Sequence, residues 1–244
     1  MNTRFVSTQP NNAVWVFIHL PKTGGTTVNG HFRQHLRWDE TFIHLAEWGN
    51  RYRKATNRKP LEERPLEERS RIEVLSGHHA YYGIHRWVPN KVGRYFTIVR
   101  DPAQRCVSRY NALRSRGVVI VDFETWYADD YCLKHRHFMC HFLAERVMNL
   151  RLPSNHAQNF RLACQLLDLC WHVGVTENLN NELVYIFSAM GLPTTWKNYR
   201  VAGQLENAFA GLNHPRDGEV IQKHYELDSA MRTRIYEEHA CPPL

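Results

Sequence analysis

The chain has 244 residues, 43% of them hydrophobic and 23% charged, with a formal net charge of +7. Such a length and apolar share suit one domain with a sizeable core and exclude a disordered chain. The positive excess favours an anionic ligand without choosing among nucleotide, sulfated sugar, nucleic acid and membrane surface. No stretch reaches the roughly 18 apolar residues that a bilayer span needs, and the polar residues 1–12 read as a flexible N-terminus rather than a secretory signal. Six cysteines (Cys106, Cys132, Cys140, Cys164, Cys170 and Cys241) form no small-scaffold framework. They read as mostly reduced thiols of a cytoplasmic protein, the alternative being the lumenal catalytic domain of a secretory-pathway enzyme.

In chain order, short β-branched or aromatic runs at residues 14–19, 72–75, 95–99 and 171–175 read as buried strands. Helical patterns cover 26–37, 103–113, 123–130, 156–169 and 179–190, and a last helix is expected from about 217 towards 239. Strands alternating with helices imply an α/β fold, a central and mostly parallel sheet of four to five strands flanked by helices. Residues 51–71 read as a charged helical insertion, with the duplication Leu61-Glu62-Glu63-Arg64-Pro65 and Leu66-Glu67-Glu68-Arg69 inside it. Otherwise the whole of 1–244 forms a single domain. Ligands on such sheets sit beyond the carboxyl ends of the strands, so the residues that follow each strand are the ones to weigh.

After the first strand comes His19-Leu20-Pro21-Lys22-Thr23-Gly24-Gly25-Thr26-Thr27. Two glycines let the backbone approach an anion, the following helix offers its unpaired amides and positive dipole end, and Lys22 adds a mobile charge. This is a phosphate cradle. It differs from the triphosphatase loop, whose lysine follows the last glycine, and no clear acidic strand end for magnesium accompanies it. After the third strand, Arg100-Asp101-Pro102 reads as a capped helix start. Arg100 stands at the strand end and Ser108 two helical turns on, so that a guanidinium fork and a hydroxyl can receive a second phosphate.

Together the two segments resemble the 5′-phosphosulfate loop and the 3′-phosphate motif of sulfotransferases that use 3′-phosphoadenosine 5′-phosphosulfate (PAPS). The His-x-Pro-Lys-Thr-Gly-Gly-Thr-Thr spelling is most similar to the carbohydrate branch, which includes heparan sulfate 2-O- and 6-O-sulfotransferases and short bacterial relatives. Val173-Gly174-Val175-Thr176-Glu177, Tyr225-Glu226-Leu227-Asp228 and Ile235-Tyr236 also resemble that branch. The resemblance implies a three-layer, P-loop-like fold, with PAPS as donor, adenosine 3′,5′-bisphosphate (PAP) as product and no metal. It implies that Lys22 binds the phosphosulfate and offsets charge on the leaving oxygen. Thr23, Gly24, Gly25, Thr26 and Thr27 would wrap the 5′-phosphate, Arg100 and Ser108 would hold the 3′-phosphate, and Thr176 would lie near the nucleotide. Arg105 is equally suited to a structural ion pair.

A hydroxyl that attacks sulfur must lose a proton, and a histidine of near-neutral pKa suits that work. The expected acceptor is a carbohydrate, an oligo- or polysaccharide. Ser76-Gly77-His78-His79 follows the second strand. The Gly-His pair resembles the stretch with the base in the 2-O-enzymes, which favours His78, while the 6-O-enzymes favour His79; Glu47 and Glu73 are carboxylate alternatives. The run from Cys132 to His141 is rich in metal-ligand residue types but has no matching half site; if helical, it packs one face beside the cleft. Basic residues Arg51, Arg53, Lys54, Arg58, Lys59, Arg114 and Arg116 and the indoles of Trp38, Trp48 and Trp87 could line a glycan groove, though surface and core positions are their ordinary fates. Two rival functions share this physics: a nucleotide-dependent phosphoryl transferase, and a non-catalytic glycan- or nucleic-acid-binding module.

Overall fold

A computed structural model describes residues 12–45, 60–128, 137–153, 155–196 and 230–234. Five parallel strands make one sheet: β1 (Ala13–Ile18), β2 (Phe42–His44), β3 (Val74–Gly77), β4 (Val92–Val99) and β5 (His172–Val175), in the order β2-β3-β1-β4-β5. The helices are α1 (Gly25–His35), α2 (Leu66–Ser70), α3 (Pro102–Arg114), α4 (Phe123–Ala128), α5 (Phe138–Met148), α6 (His156–Asp168) and α7 (Leu179–Ala189).

The central strand β1 explains the layering. Its residues alternate between faces with the two-residue period of a strand. Val14, Val16 and Ile18 join a cluster with Met139 and Leu143 of α5 and Ala163 and Leu166 of α6. Trp15 and Phe17 join a second cluster with Val28 and Phe32 of α1 and Leu183, Ile186 and Phe187 of α7. A strand covered on both faces has no place for an alternating polar residue, which is why this segment reads as continuously apolar. Each such side chain contributes about 1.5–3 kcal/mol on burial.

The topology also selects the functional edge. The chain leaves β1 through α1 towards β2 and β3, and β4 then docks on the opposite side of β1. The order therefore reverses at β1, and a crevice opens past the carboxyl ends of β1 and β4. Register aligns those ends: Ile18 pairs with Gly77, Phe17 with Phe96, and Val99 with Val175. Whatever follows Ile18, Gly77, Val99 and Val175 emerges along one edge.

The expected α/β architecture is present, with differences at particular elements. The strand expected at 72–75 runs over Val74–Gly77 instead, because Thr41 holds the amides of Glu73 and Val74 through its carbonyl and Ser76 is drawn into the buried ladder. Edge strand β2 has only three residues, too few to show a period. The described part of the insertion is a short 3₁₀ turn, Leu61–Glu63, and α2, each led in by a proline, Pro60 and Pro65. Its duplicated sequence thus makes two turns rather than one helix, since proline fits only the first positions of a helix. Residues 230–234 are helical, with Met231 buried in the core. The rest of the expected last helix, the N-terminal residues 1–11 and residues 51–59 lie outside the described residues.

Candidate active site

Past Ile18 the backbone turns through Lys22, φ 74°, and Gly24, φ 82°, before α1 begins at Gly25. The left-handed conformation is ordinary for glycine but uncommon for lysine. Gly24 precedes the helix with no side-chain cap, so that the first amides of α1 remain oriented towards a ligand. Space enforces both glycines. A Cβ on Gly25 would stand 1.8 Å from Nε2 of His19, and one on Gly24 would stand 2.9 Å from Cδ2 of Leu179. Thr26 is exposed at the helix start and Thr27 is buried. Thr23 is fully buried and its hydroxyl donates to the Leu20 carbonyl at 2.8 Å, so its side chain closes the loop and only its backbone is left for an anion.

Arg100 follows β4 and is 8% exposed. Its Nη1 donates to the Lys22 carbonyl at 3.3 Å, which joins the second anchor directly to the glycine turn. Burial lowers its pKa, while the carboxylates of Glu177 and Asp101 push it back up. Asp101 caps α3 by accepting from the Gln104 amide, and Pro102 occupies the first turn. The Asp101 amide donates to Oε1 of Glu177 at 2.7 Å, and the Thr176 hydroxyl donates to the Val99 carbonyl at 2.9 Å. Thr176 therefore ties the ends of β4 and β5 together beside Arg100. Arg232 approaches both acids, 3.6 Å from Asp101 and 3.5 Å from Glu177. Ser108 is half-buried on α3, seven residues after Asp101 and so on the same face. Arg105 is buried with its guanidinium 4.4 Å over the Phe138 ring.

A group of imidazoles fills the other half of the edge. His78 is half-buried and its Nδ1 lies 2.7 Å from the His19 carbonyl. A carbonyl only accepts, so Nδ1 carries the proton and Nε2 keeps its lone pair. The rings of His19 and His78 stack at 4.2 Å. Burial lowers the pKa of His78, with the His19 carbonyl opposing and Arg146 reinforcing the shift. His79, held by its amide on the Leu45 carbonyl, is likewise shifted down by burial and by Arg146. His44 falls to about 4 through burial and the nearby Arg33, and burial takes His19 well below its ordinary value. These rings stay neutral near pH 7.

Two carboxylates were open as alternatives to a histidine base. Glu73 precedes β3, at the end of the strand remote from Gly77 and His78, so it cannot share their edge; Glu47 lies outside the described residues. In the cysteine- and histidine-rich run, Met139 and Cys140 are core residues of α5. His141 lies 3.0 Å from the Asn159 amide and 3.4 Å from Glu145. Cys132 and His135 are outside the described residues. Trp38 packs edge-on against Phe42 and beneath Arg33, and Trp87 is exposed beside Arg69; Trp48 is not described. Arg114 and Arg116 are exposed at the far end of α3, away from the Arg100 edge. The structure adds His19, Asn29, Ser76 and Arg146, which sequence reasoning did not single out. Only His19 carried a signal, as the first residue of the cradle motif.

A glycine turn at a helix start and a buried arginine bonded to that turn thus stand together at the carboxyl edge of an α/β sheet. The chain belongs to the sulfotransferase family, whose model, described as "Sulfotransferase family", matches residues 6–238; it is a transferase, and its family's chemistry is sulfuryl transfer. Among solved structures it is similar to the crystal structure of a sulfotransferase from Alicyclobacillus acidocaldarius, with 12% identity and a TM-score of 0.41 over 87% of this chain and 95% of that one. No curated protein matches the sequence. No described helix is long and apolar enough to cross a membrane.

Proposed function

We propose that the protein transfers the sulfuryl group of PAPS to a carbohydrate hydroxyl, with His78 as general base. The observation that carries this reading is the hydrogen bond from Arg100 to the Lys22 carbonyl. It makes the cradle and the second anchor one continuous cationic rim, suited to a nucleotide phosphorylated at both ends. The glycine turn, where His19 and Leu179 leave no room for a Cβ, suits the 5′ end. Arg100, with Ser108 on the face of α3 that looks back at it, suits the 3′-phosphate. An open hollow lined by residues 176–181 lies beside the Gly24 turn, with Leu179 in contact with both, and gives the nucleoside a place to rest.

The donor supplies a sulfuryl group already activated by its bond to phosphate. His78 accepts the hydroxyl proton at Nε2 while its Nδ1–H stays on the His19 carbonyl. The hydroxyl oxygen forms the new bond to sulfur as the bridging sulfur–oxygen bond breaks. Lys22 and the amides of Gly24 to Thr26 offset the negative charge that gathers on the departing phosphate. The barrier falls through alignment and electrostatics, and no metal enters the scheme. His79 is the less favoured base, because its amide tether points towards β2 rather than to the cradle. We place the reaction in the cytoplasm, a reducing compartment that suits a domain of this size whose cysteines show no disulfide framework in their spacing.

Calorimetry with PAP and with ATP–Mg²⁺ separates this reading from phosphoryl transfer: PAP binds, and ATP–Mg²⁺ binds at least about tenfold more weakly for want of a 3′-phosphate. Radiolabelled PAPS with a panel of polysaccharides, phenols and small alcohols then tests the acceptor. Transfer to phenols or alcohols alone overturns the carbohydrate assignment, and absence of PAP binding overturns the donor.

A further inference from the structure

We propose that Asn29 and His19 are positioning residues for the base: Asn29 orients the ring of His19, and His19 holds His78 in the tautomer and plane that leave Nε2 as the proton acceptor. The inference rests on the reading of His78 as the base.

Asn29 lies in the first half of α1 and is 5% exposed. Asparagine is a poor choice inside a helix, where it competes with the backbone for hydrogen bonds. Here both ends of its amide are used across the fold instead. Oδ1 accepts from the hydroxyl of fully buried Ser76 at 2.5 Å, and Nδ2 lies 3.4 Å from Nδ1 of His19. With Oδ1 on the Ser76 hydroxyl, Nδ2 is left to donate to Nδ1 of His19, whose own proton then resides on Nε2. Three contacts fix the ring plane: Phe17 stacks on it at 5.3 Å, His78 at 4.2 Å, and Gly25 leaves room at its edge.

His19 reaches His78 in two ways, through its carbonyl at 2.7 Å and through its ring face. If the His19 ring swung away, the backbone carbonyl would stay in place but the stack would be lost, and the His78 ring would rock about its tether and strain the Nδ1–H bond. If it became charged, it would repel a proton from His78 at close range. Around His78 stand His19 from the end of β1, His44 from β2, His79 beside it and Arg146 from α5. Burial first and Arg146 after it oppose a proton on His78, and the plane of its ring decides where a proton can be received. A merely packed asparagine would have no reason to bridge β3 and the ring that stacks on the base.

The test uses the full chain labelled with ¹⁵N in its histidine rings. In the wild type, His78 should show a protected Nδ1–H and an unprotonated Nε2, assigned by their loss in His78→Ala. Asn29→Leu should speed exchange of that Nδ1–H about tenfold. Transfer from PAPS to chemically desulfated heparin should fall about 10- to 100-fold in kcat, with the KM for PAPS unchanged, as expected for a misplaced group that does not touch the donor. Ser76→Ala should move both readouts the same way by less, and it decides the matter if Asn29→Leu does not fold. A folded variant with wild-type kcat, or with a wild-type Nδ1–H signal despite lost stability, overturns the proposal. If His78→Ala itself retains full turnover, the base reading fails instead, and the exchange rate of Nδ1–H still reports whether Asn29 orients His78.

Discussion

The two halves of the carboxyl edge handle charge in opposite ways. On the β4–β5 side a buried arginine is surrounded by acids: Arg100 faces Glu177 and Asp101, and Arg232 approaches the same two carboxylates. On the β1–β3 side burial holds His19, His78, His79 and His44 neutral. A persistent cation suits binding, since it must not lose its charge when an anion arrives. A neutral ring with a fixed tautomer suits proton transfer, since it must have somewhere to put a proton. The lysine turn lies between them and borders both. On the proposed function, one edge would therefore divide into a part that holds and a part that reacts.

The sharpest way to break that division is to remove the base. His78→Ala should lower kcat by about 10²–10⁴-fold while calorimetric affinity for PAP stays within a factor of two or so; a large loss of PAP binding would put His78 on the holding side. Because burial lowers the pKa of His78, the acid limb of kcat/KM should fall below pH 6.5, its ordinary value: the rate holds as pH drops through 6.5 and declines only in more acid solution.

Lys22→Ala tests the border. Loss of a charge directed at the leaving group should cost about 10²–10³-fold in kcat, a larger factor than the accompanying rise in Kd for PAP. Equal losses in both would make Lys22 a plain anchor. Arg100→Ala should do the reverse, weakening PAP by about 10- to 100-fold, the equivalent of one lost charged hydrogen-bonding partner. Its effect on adenosine 5′-phosphosulfate, which lacks the 3′-phosphate, should be much smaller. Equal weakening of both nucleotides would detach Arg100 from the 3′ position.

The smallest effect concerns stability in acid. His31 is fully buried against Phe187 and its pKa is lowered to about 4. Below pH 6.5 the unfolded chain takes up a proton that the folded ring refuses, so its contribution is complete above 6.5 and lost as pH falls towards about 4. The slope is about 1.4 kcal/mol per pH unit for one such histidine. Urea melts at pH 7 and 5 should show it, and His31→Phe, which keeps the stack, should reduce the slope by about that amount, leaving the share of His19, His44, His78 and His79.

The glycine turn was legible because it is local. A strand, a Lys-Thr-Gly-Gly turn and a helix start follow one another within a dozen residues, and the amides that would receive an anion in the proposed function belong to the same residues that spell the motif. The Asp-Pro helix start after β4 was legible for the same reason. The buried strands were legible because apolar runs covered on both faces leave no alternation to misread. By contrast, β2 is too short to have a period, and β3 shifted by two residues because its boundary is set by Thr41 and Ser76 rather than by its own apolar residues.

From the chain alone came the α/β alternation, the anion-binding turn and a short list of titratable groups near the strand ends. Only the tertiary structure decided which of those groups meet. Arg100 and Lys22 are 78 positions apart, His78 and His19 are 59, and Ser76 and Asn29 are 47. Such pairs arise from the register of parallel strands and from where α1 crosses the sheet. Both are set by burial on two faces at once, a condition that no single stretch of sequence contains.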